Sequence, residues 1–231
     1  MSIEIFPVRG IPEITAGDDL AAIILRGLMT SDLSLVDRDV VVVTHKVVSK
    51  AEGRLEAAAD DDAYRRLAER EARAVLRRRG DLIIAQTEHG FICANAGVDR
   101  SNVPDGYAVL LPIDSDRSAH HIRVNLERAA GVSIAVVVTD TFGRPWRRGL
   151  VDVAVGVSGL PAILDLRGRP DAQQRTMNAT EIAIVDEIAA AADLVMGKAD
   201  AIPVAVIRGL DLAGDGRATD LIRPPEEDMF R

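Results

Sequence analysis

Seven short apolar runs rich in β-branched residues recur along the chain, at 40–44, 82–86, 91–94, 107–112, 134–139, 151–157 and 202–207, each bounded by Gly, Asp, Asn or Pro. Runs of that length between turn residues predict strands. Two longer stretches repeat instead at helical spacing. Over 60–79 the residues Tyr64, Leu67, Ala68, Ala72, Val75 and Leu76 share one stripe, with acids at the start, arginines at the end and Gly80 as the stop. Ile182, Val185, Ile188, Ala189, Ala192 and Val195 form a second stripe that ends at Gly197. Shorter helices are predicted near 18–28 and 118–130. Residues 82–112 hold three predicted strands with no helix between them, which breaks the alternation of a doubly wound sheet and predicts a mixed α+β fold, mainly antiparallel, with packed helices.

Composition narrows this picture. Hydrophobic residues make up 48% of the 231 but aromatic residues only 3%, so the core is expected to be Val, Ile, Leu and Ala. No apolar run approaches the roughly 20 residues that span a bilayer, and the first ten residues lack the features of a signal peptide, so a cytoplasmic protein is expected, with no membrane partner. A net charge of −8 argues against a nucleic-acid partner, which demands excess Lys and Arg. Any anionic ligand must then meet positive charge concentrated locally. The lone Cys93 excludes an internal disulfide and, lying in an apolar run, reads as an inert core thiol.

The candidate chemistry gathers where strands end. The standard phosphate-binding and dinucleotide-binding glycine loops, the zinc-protease motif and the nucleophile elbow are all missing. His120 and His121 are adjacent on a predicted helix, point different ways and read as surface residues. Asp140 directly follows "AVVVT", and Asp99 sits in "NAGVDRSN" after another strand. Carboxylates fixed at strand exits suit a hard divalent cation that two strands share; each Asp equally suits the cap of a turn. Arg144, Arg147 and Arg148 crowd the segment after Asp140 and match phosphate or carboxylate oxygens, or else solvate a loop. Lys46 and Lys50, with Thr44 and Ser49, follow the strand at 40–44, and Lys198 lies beside Gly197 in "MGKADAIP".

Taken in order, "FPVRGIPEITAGDDL", "VVVTHKVVSKAEGR", "NAGVDRSNV", "VVVTDTFGRPWRRGLVDVAVGVSGL", "VDEIAAAADLVMGK" and "PVAVIRGL" resemble the coenzyme F420:L-glutamate ligase family over nearly the whole chain. The resemblance implies a GTP-dependent enzyme that adds L-glutamate through γ-linkages to the lactyl side chain of an F420 precursor. It implies a divalent metal, Mg2+ or Mn2+ in one or two sites, held by Asp99, Asp140 and Thr141, with K+ as a further candidate. Nucleotide contacts carry over to Ile11, Pro12, Glu13, Ile14, Lys50 and Asn102, and to the loop of Met196, Gly197 and Lys198. His45 falls at a nucleotide-facing position where the family carries a small hydroxyl residue, and Gln173 and Gln174 replace an aromatic–Gly pair. The resemblance also implies a homodimer of two intertwined subdomains. The seam between them is expected near 55–80, with the segment from about 197 returning to the first. A stand-alone ligase domain is expected, because the sequence ends before the flavin-binding reductase domain of some actinobacterial members. The loop arginines are candidate anchors for phosphate or carboxylate groups during catalysis. Two rival readings stay open: a metal-dependent phosphohydrolase using the same acids, and a non-catalytic GTP-binding regulator.

Overall fold

The computed structural model describes residues 2–229. Along the chain the elements are β1 (Glu4–Val8), α1 (Leu20–Thr30), β2 (Val40–Thr44), α2 (His45–Ala51), β3 (Leu55–Ala57), α3 (Asp61–Arg70), β4 (Ala72–Arg79), β5 (Leu82–Thr87) and β6 (Ile92–Ala94). Then come β7 (Tyr107–Val109), α4 (Ser115–Ala130), β8 (Ala135–Arg144), β9 (Arg147–Ser158), β10 (Leu164–Asp165), β11 (Glu181–Ile182), α5 (Ile184–Met196) and β12 (Val204–Arg208).

The main sheet has the order β1-β12-β2-β8-β9, and only the β2–β8 pair is parallel. Val40, Val41, Val42 and Val43 are all buried, although successive side chains point to opposite faces, so both faces of the sheet are covered. Helix α4 packs on β8 and β9 and touches α1, while α5 lies across all five strands. Three of the helices start where the sequence supplies acceptors for their free amides: Asp19 caps α1, Asp60 caps α3 and Asp114 caps α4, each taking the N–H three residues on. Gly131, in the left-handed region at φ 71°, stops α4.

Between α2 and α4 the chain builds a second core. Ala58, Leu67, Ala68, Ile83, Ala85, Ala96, Val98, Ala108 and Leu110 pack together, covered by Tyr64 and Ala72. Its walls are α3, the antiparallel trio β4-β5-β6 and the pair β3-β7. The mixed, mainly antiparallel α+β fold expected from the sequence is therefore present.

Several element boundaries differ from expectation. The helix predicted over 60–79 ends at Arg70, and its second half is strand β4. Ala72, Ala74 and Leu76 also alternate with exposed Arg73, Val75 and Arg77, so the stretch fits a strand as well, with Ala74 in place of Val75 on the covered face. Pairing with β5 decides between them, and Gly80, at φ 58°, opens the two-residue turn of that hairpin rather than ending a helix. The strand predicted at 134–139 runs on through Asp140 to Arg144, because β9 pairs with it along that length from Arg147 onward. Asp140 thus lies within a strand and not at its exit. Helix α2 and strand β1 were not predicted, and the strand expected over 107–112 is confined to Tyr107–Val109.

One turn in the second core controls where Asp99 lies. Asn95, Ala96 and Gly97 take φ values of 50°, 52° and 75°, a left-handed run that only Gly adopts without strain. It is held by Asn95, whose Oδ1 accepts from the Ile83 N–H and whose Nδ2 donates to the Tyr64 hydroxyl; Tyr64 in turn donates to the Val98 carbonyl. A Cβ on Gly97 would stand 2.7 Å from the side chain of Leu111. Replacing Gly97 with Ala therefore combines backbone strain with a clash. Urea denaturation of Gly97→Ala is expected to show a loss of about 1–3 kcal/mol at unchanged m-value, whereas Gly80→Ala, with open space around its added methyl, loses only the strain.

Candidate active site

The parallel pair β2–β8 brings Thr44 and Thr139 side by side, and the chain leaves β2 directly into the seven-residue helix α2. A cavity of about 550 Å³ opens at this end of the sheet, a size that suits a small-molecule ligand. Ligands of open sheets with parallel strands collect at the carboxyl ends of those strands. The cavity is lined by Ile11, Pro12, Glu13 and Ile14 before α1, by Lys46 and Lys50 of α2, by Asn102, by Thr141 and Asp152 of the β8–β9 hairpin, and by Asp193, Met196, Gly197 and Lys198 around the end of α5.

Its three lysines are each tied down. Lys50 is 7% exposed and donates to Glu13 Oε1 at 2.6 Å and to the Asn102 carbonyl at 2.8 Å. Lys198 donates to Thr141 Oγ1 at 3.2 Å. Lys46, 6% exposed, lies 3.0 Å from Asp99 Oδ2 and 4.0 Å from Asp140 Oδ1. Asp99 and Asp140, from different cores, thus meet at one buried ammonium.

Both acids are ionised at neutral pH. Burial pushes Asp99 up, but the Lys46 charge and the Ser101 N–H and hydroxyl outweigh it and hold the carboxyl at about 2. Burial likewise pushes Asp140 up, and the nearness of His45, then Lys46 and the Thr141 N–H, bring it below the ordinary range. His45 is fully buried behind Asp140, with Nε2 at 3.2 Å from its Oδ1 but off the line of a good hydrogen bond. On the other side of β8, Asp152 is buried between two hydroxyls: Thr139 Oγ1 donates to it at 3.0 Å and Thr141 Oγ1 at 2.7 Å. Asp193 is raised by burial and by the charge of Asp152, against the pull of Lys198.

Of the residues singled out in the sequence, Ile11, Pro12, Glu13, Ile14, Lys50, Asn102, Thr141, Met196, Gly197 and Lys198 line the cavity. Asp99, Asp140 and His45 stand outside that lining, with the two acids reaching it through Lys46. Arg144, Arg147 and Arg148 are not in it. The strand carries them past Asp140 to the exposed tip of the hairpin, where Arg144 donates to the Arg148 carbonyl and Pro145 and Trp146 make the turn. Asp152 and Asp193 were missed. The signal for Asp152 was a charged residue inside the apolar alternation "VDVAVGV"; Asp193 lay off the apolar stripe of its helix and gave none. The Cys93 thiol, pushed up to about 12 by burial and then by the charge of Asp140, is inert as expected, and His120 and His121 are exposed on α4.

A profile of the family described as F420-0:Gamma-glutamyl ligase matches residues 10–209. The chain belongs to the F420-0:gamma-glutamyl ligase family. The coenzyme F420:L-glutamate ligase of Methanothermobacter thermautotrophicus is 43% identical, with all of both chains covered. Those of Methanopyrus kandleri and Archaeoglobus fulgidus are each 39% identical, over all of this chain and 98% and 97% of theirs. The matched region of this ligase-family chain takes in every residue that lines the cavity. Among the described residues no helix is long and apolar enough to cross a membrane.

The Asp99 carboxyl is lowered on folding, so its stabilisation is fully present above the ordinary carboxylate pKa of about 4 and is lost as pH falls toward 2. Asp99→Asn is expected to cost about 1–2 kcal/mol at pH 7, a range that allows for its partly exposed, screened side chain. Chemical denaturation of both proteins from pH 7 to pH 2 should show that difference closing between pH 4 and 2; a constant difference would mean that Lys46 does not set the ionisation of Asp99.

Proposed function

We propose that the protein is a GTP-dependent ligase that joins L-glutamate to a coenzyme F420 precursor through γ-glutamyl amide bonds. The observation that supports this best is the convergence of three lysines on one cavity, one of them, Lys46, paired behind it with the ionised Asp99 and Asp140, in a chain of this family. The lysines offer a triphosphate cationic partners, in a lining that also holds Glu13, Asp152 and Asp193. GTP itself is the expectation carried by the motifs.

In this reading the γ-phosphoryl group passes to a carboxylate of the precursor, giving GDP and an acyl phosphate. The amine of glutamate attacks the activated carbonyl, the amide forms, and phosphate leaves. Lys50 and Lys198 hold the phosphates in line, and Asn102 and the loop Ile11–Ile14 position the nucleotide. Asp99, Asp140 and Thr141 offer only oxygen donors, and both carboxylates are ionised, which fits a hard divalent cation. Mg2+ or Mn2+ held there would neutralise phosphate charge. K+ would be a further ion of the same site.

We also propose that the working form is a homodimer. Trp146 and Leu150, exposed at 80% and 65%, give the hairpin tip an apolar surface beside the three arginines. A second copy seated there would carry Arg144, Arg147 and Arg148 toward a bound substrate, the role the motifs suggested for them.

Incubation with GTP, Mg2+, L-glutamate and F420 precursor is expected to give a product heavier by whole glutamate residues and one GDP per addition; phosphate release without an acceptor would identify a hydrolase instead. Asp140→Asn should lower GDP release roughly a hundredfold or more while circular dichroism stays unchanged. Sedimentation should give a dimer, and the double change Trp146→Asp with Leu150→Asp should shift it to monomer; a monomeric parent protein would remove the hairpin from the site.

A further inference from the structure

The mechanism above uses Lys50 and Lys198 for phosphate and leaves Lys46 without a role. Its position is unusual for a phosphate ligand, because its ammonium already has two carboxylate neighbours and is buried. A buried ammonium is stable only when paired, and Asp99 and Asp140 provide that pairing. They are also the acids proposed for the divalent cation. An ammonium and a divalent cation repel each other and cannot share that space.

The third proposed ligand is filled in the same way. Thr141 Oγ1 spends its proton on Asp152 at 2.7 Å and accepts from Lys198 at 3.2 Å. Among the described residues no three His, Cys, Asp or Glu side chains cluster closely enough to hold an ion by themselves. A cation therefore needs oxygens from elsewhere, and the two ammonium groups need somewhere else to go. A polyphosphate in the cavity answers both needs, since Lys46 and Lys198 line it and a lysine stem is flexible enough to swing its point charge from carboxylate to phosphate.

We infer that Lys46 makes divalent-cation binding conditional on the nucleotide: its ammonium holds the place between Asp99 and Asp140 and yields it when phosphate is there to receive it. The inference rests on the metal and nucleotide reading above. It assigns Lys46 as a positioning residue that couples two ligands, and by reciprocity the cation must tighten nucleotide binding by the same factor.

Binding of Mn2+ to the full chain, followed by the electron paramagnetic resonance signal of free Mn2+, tests this without turnover. For the parent protein, GTP should tighten Mn2+ binding at least about tenfold. Lys46→Met should tighten nucleotide-free Mn2+ binding by about fivefold and shrink the gain from GTP without abolishing it, because phosphate still supplies ligand oxygens, while Lys46→Arg, which keeps the charge, should stay weak without nucleotide. Nucleotide-free binding no tighter in Lys46→Met than in the parent would overturn the inference. Should Lys46→Met fail to give a folded protein by circular dichroism, Lys46→Gln carries the same expectation. In the parent protein itself, strong Mn2+ binding that ignores GTP and inorganic triphosphate would also overturn it. Failure of the ligase assay with this coupling intact would sink the proposed reaction alone, and active ligase without the coupling would sink this inference alone.

Discussion

Charge placed out of water has to be matched, and the Lys46 ammonium with its two carboxylates is where this chain meets that demand most severely. Asp99 belongs to the second core, Asp140 to the main sheet, and Lys46 to the short helix that leads from one to the other. The pairing therefore fixes the relation of the two cores as well as the ionisation of the acids. Lys50, bonded to Glu13 and to the Asn102 carbonyl, and Arg54, bonded to the Leu111 carbonyl and Glu71, repeat the device at neighbouring points. Apolar packing gives each core its mass, and these few cations orient one against the other.

The same arrangement explains why the site is electrostatically balanced as it stands. Each lysine of the cavity has an oxygen partner from the chain, and each buried acid has a cation or several donors. A polyanionic ligand does not enter a field of free positive charge; it exchanges partners with carboxylates and hydroxyls already in place. Such exchange favours selectivity over raw affinity, because a ligand that cannot satisfy the displaced groups leaves them buried and unpaired.

Much of this was legible in the residues. The valine runs at 40–44 and 134–139 marked the two central strands, and turn residues marked their ends. "NAGVDRSN" and "VVVTDTFGR" named the two acids that Lys46 joins, and the order of motifs gave the family. What stayed hidden depends on pairing between distant segments. Ala72 and Leu76 fit a helix with Val75 and a strand with Ala74, and pairing with β5 breaks the tie. Asp140 reads as a strand exit until β9 is seen to continue alongside it. Asp152 gains its meaning only from the register that sets it opposite Thr141. The arginines, close to Asp140 in sequence, are carried away from the cavity by the extended backbone between them, some 3.3 Å for each residue.

The order of strands in the main sheet carries a consequence for biosynthesis. β12 lies between β1 and β2, so β1 has no partner, and β2 has only β8, until residues 204–208 leave the ribosome. The second core, by contrast, is contiguous in sequence; β4, β5 and β6 join through local hairpins, which form quickly, and β3 waits only for β7. A nascent chain would thus carry a small unit beside a large sheet still open along the valine-rich edge of β2, the state in which such chains most need a chaperone.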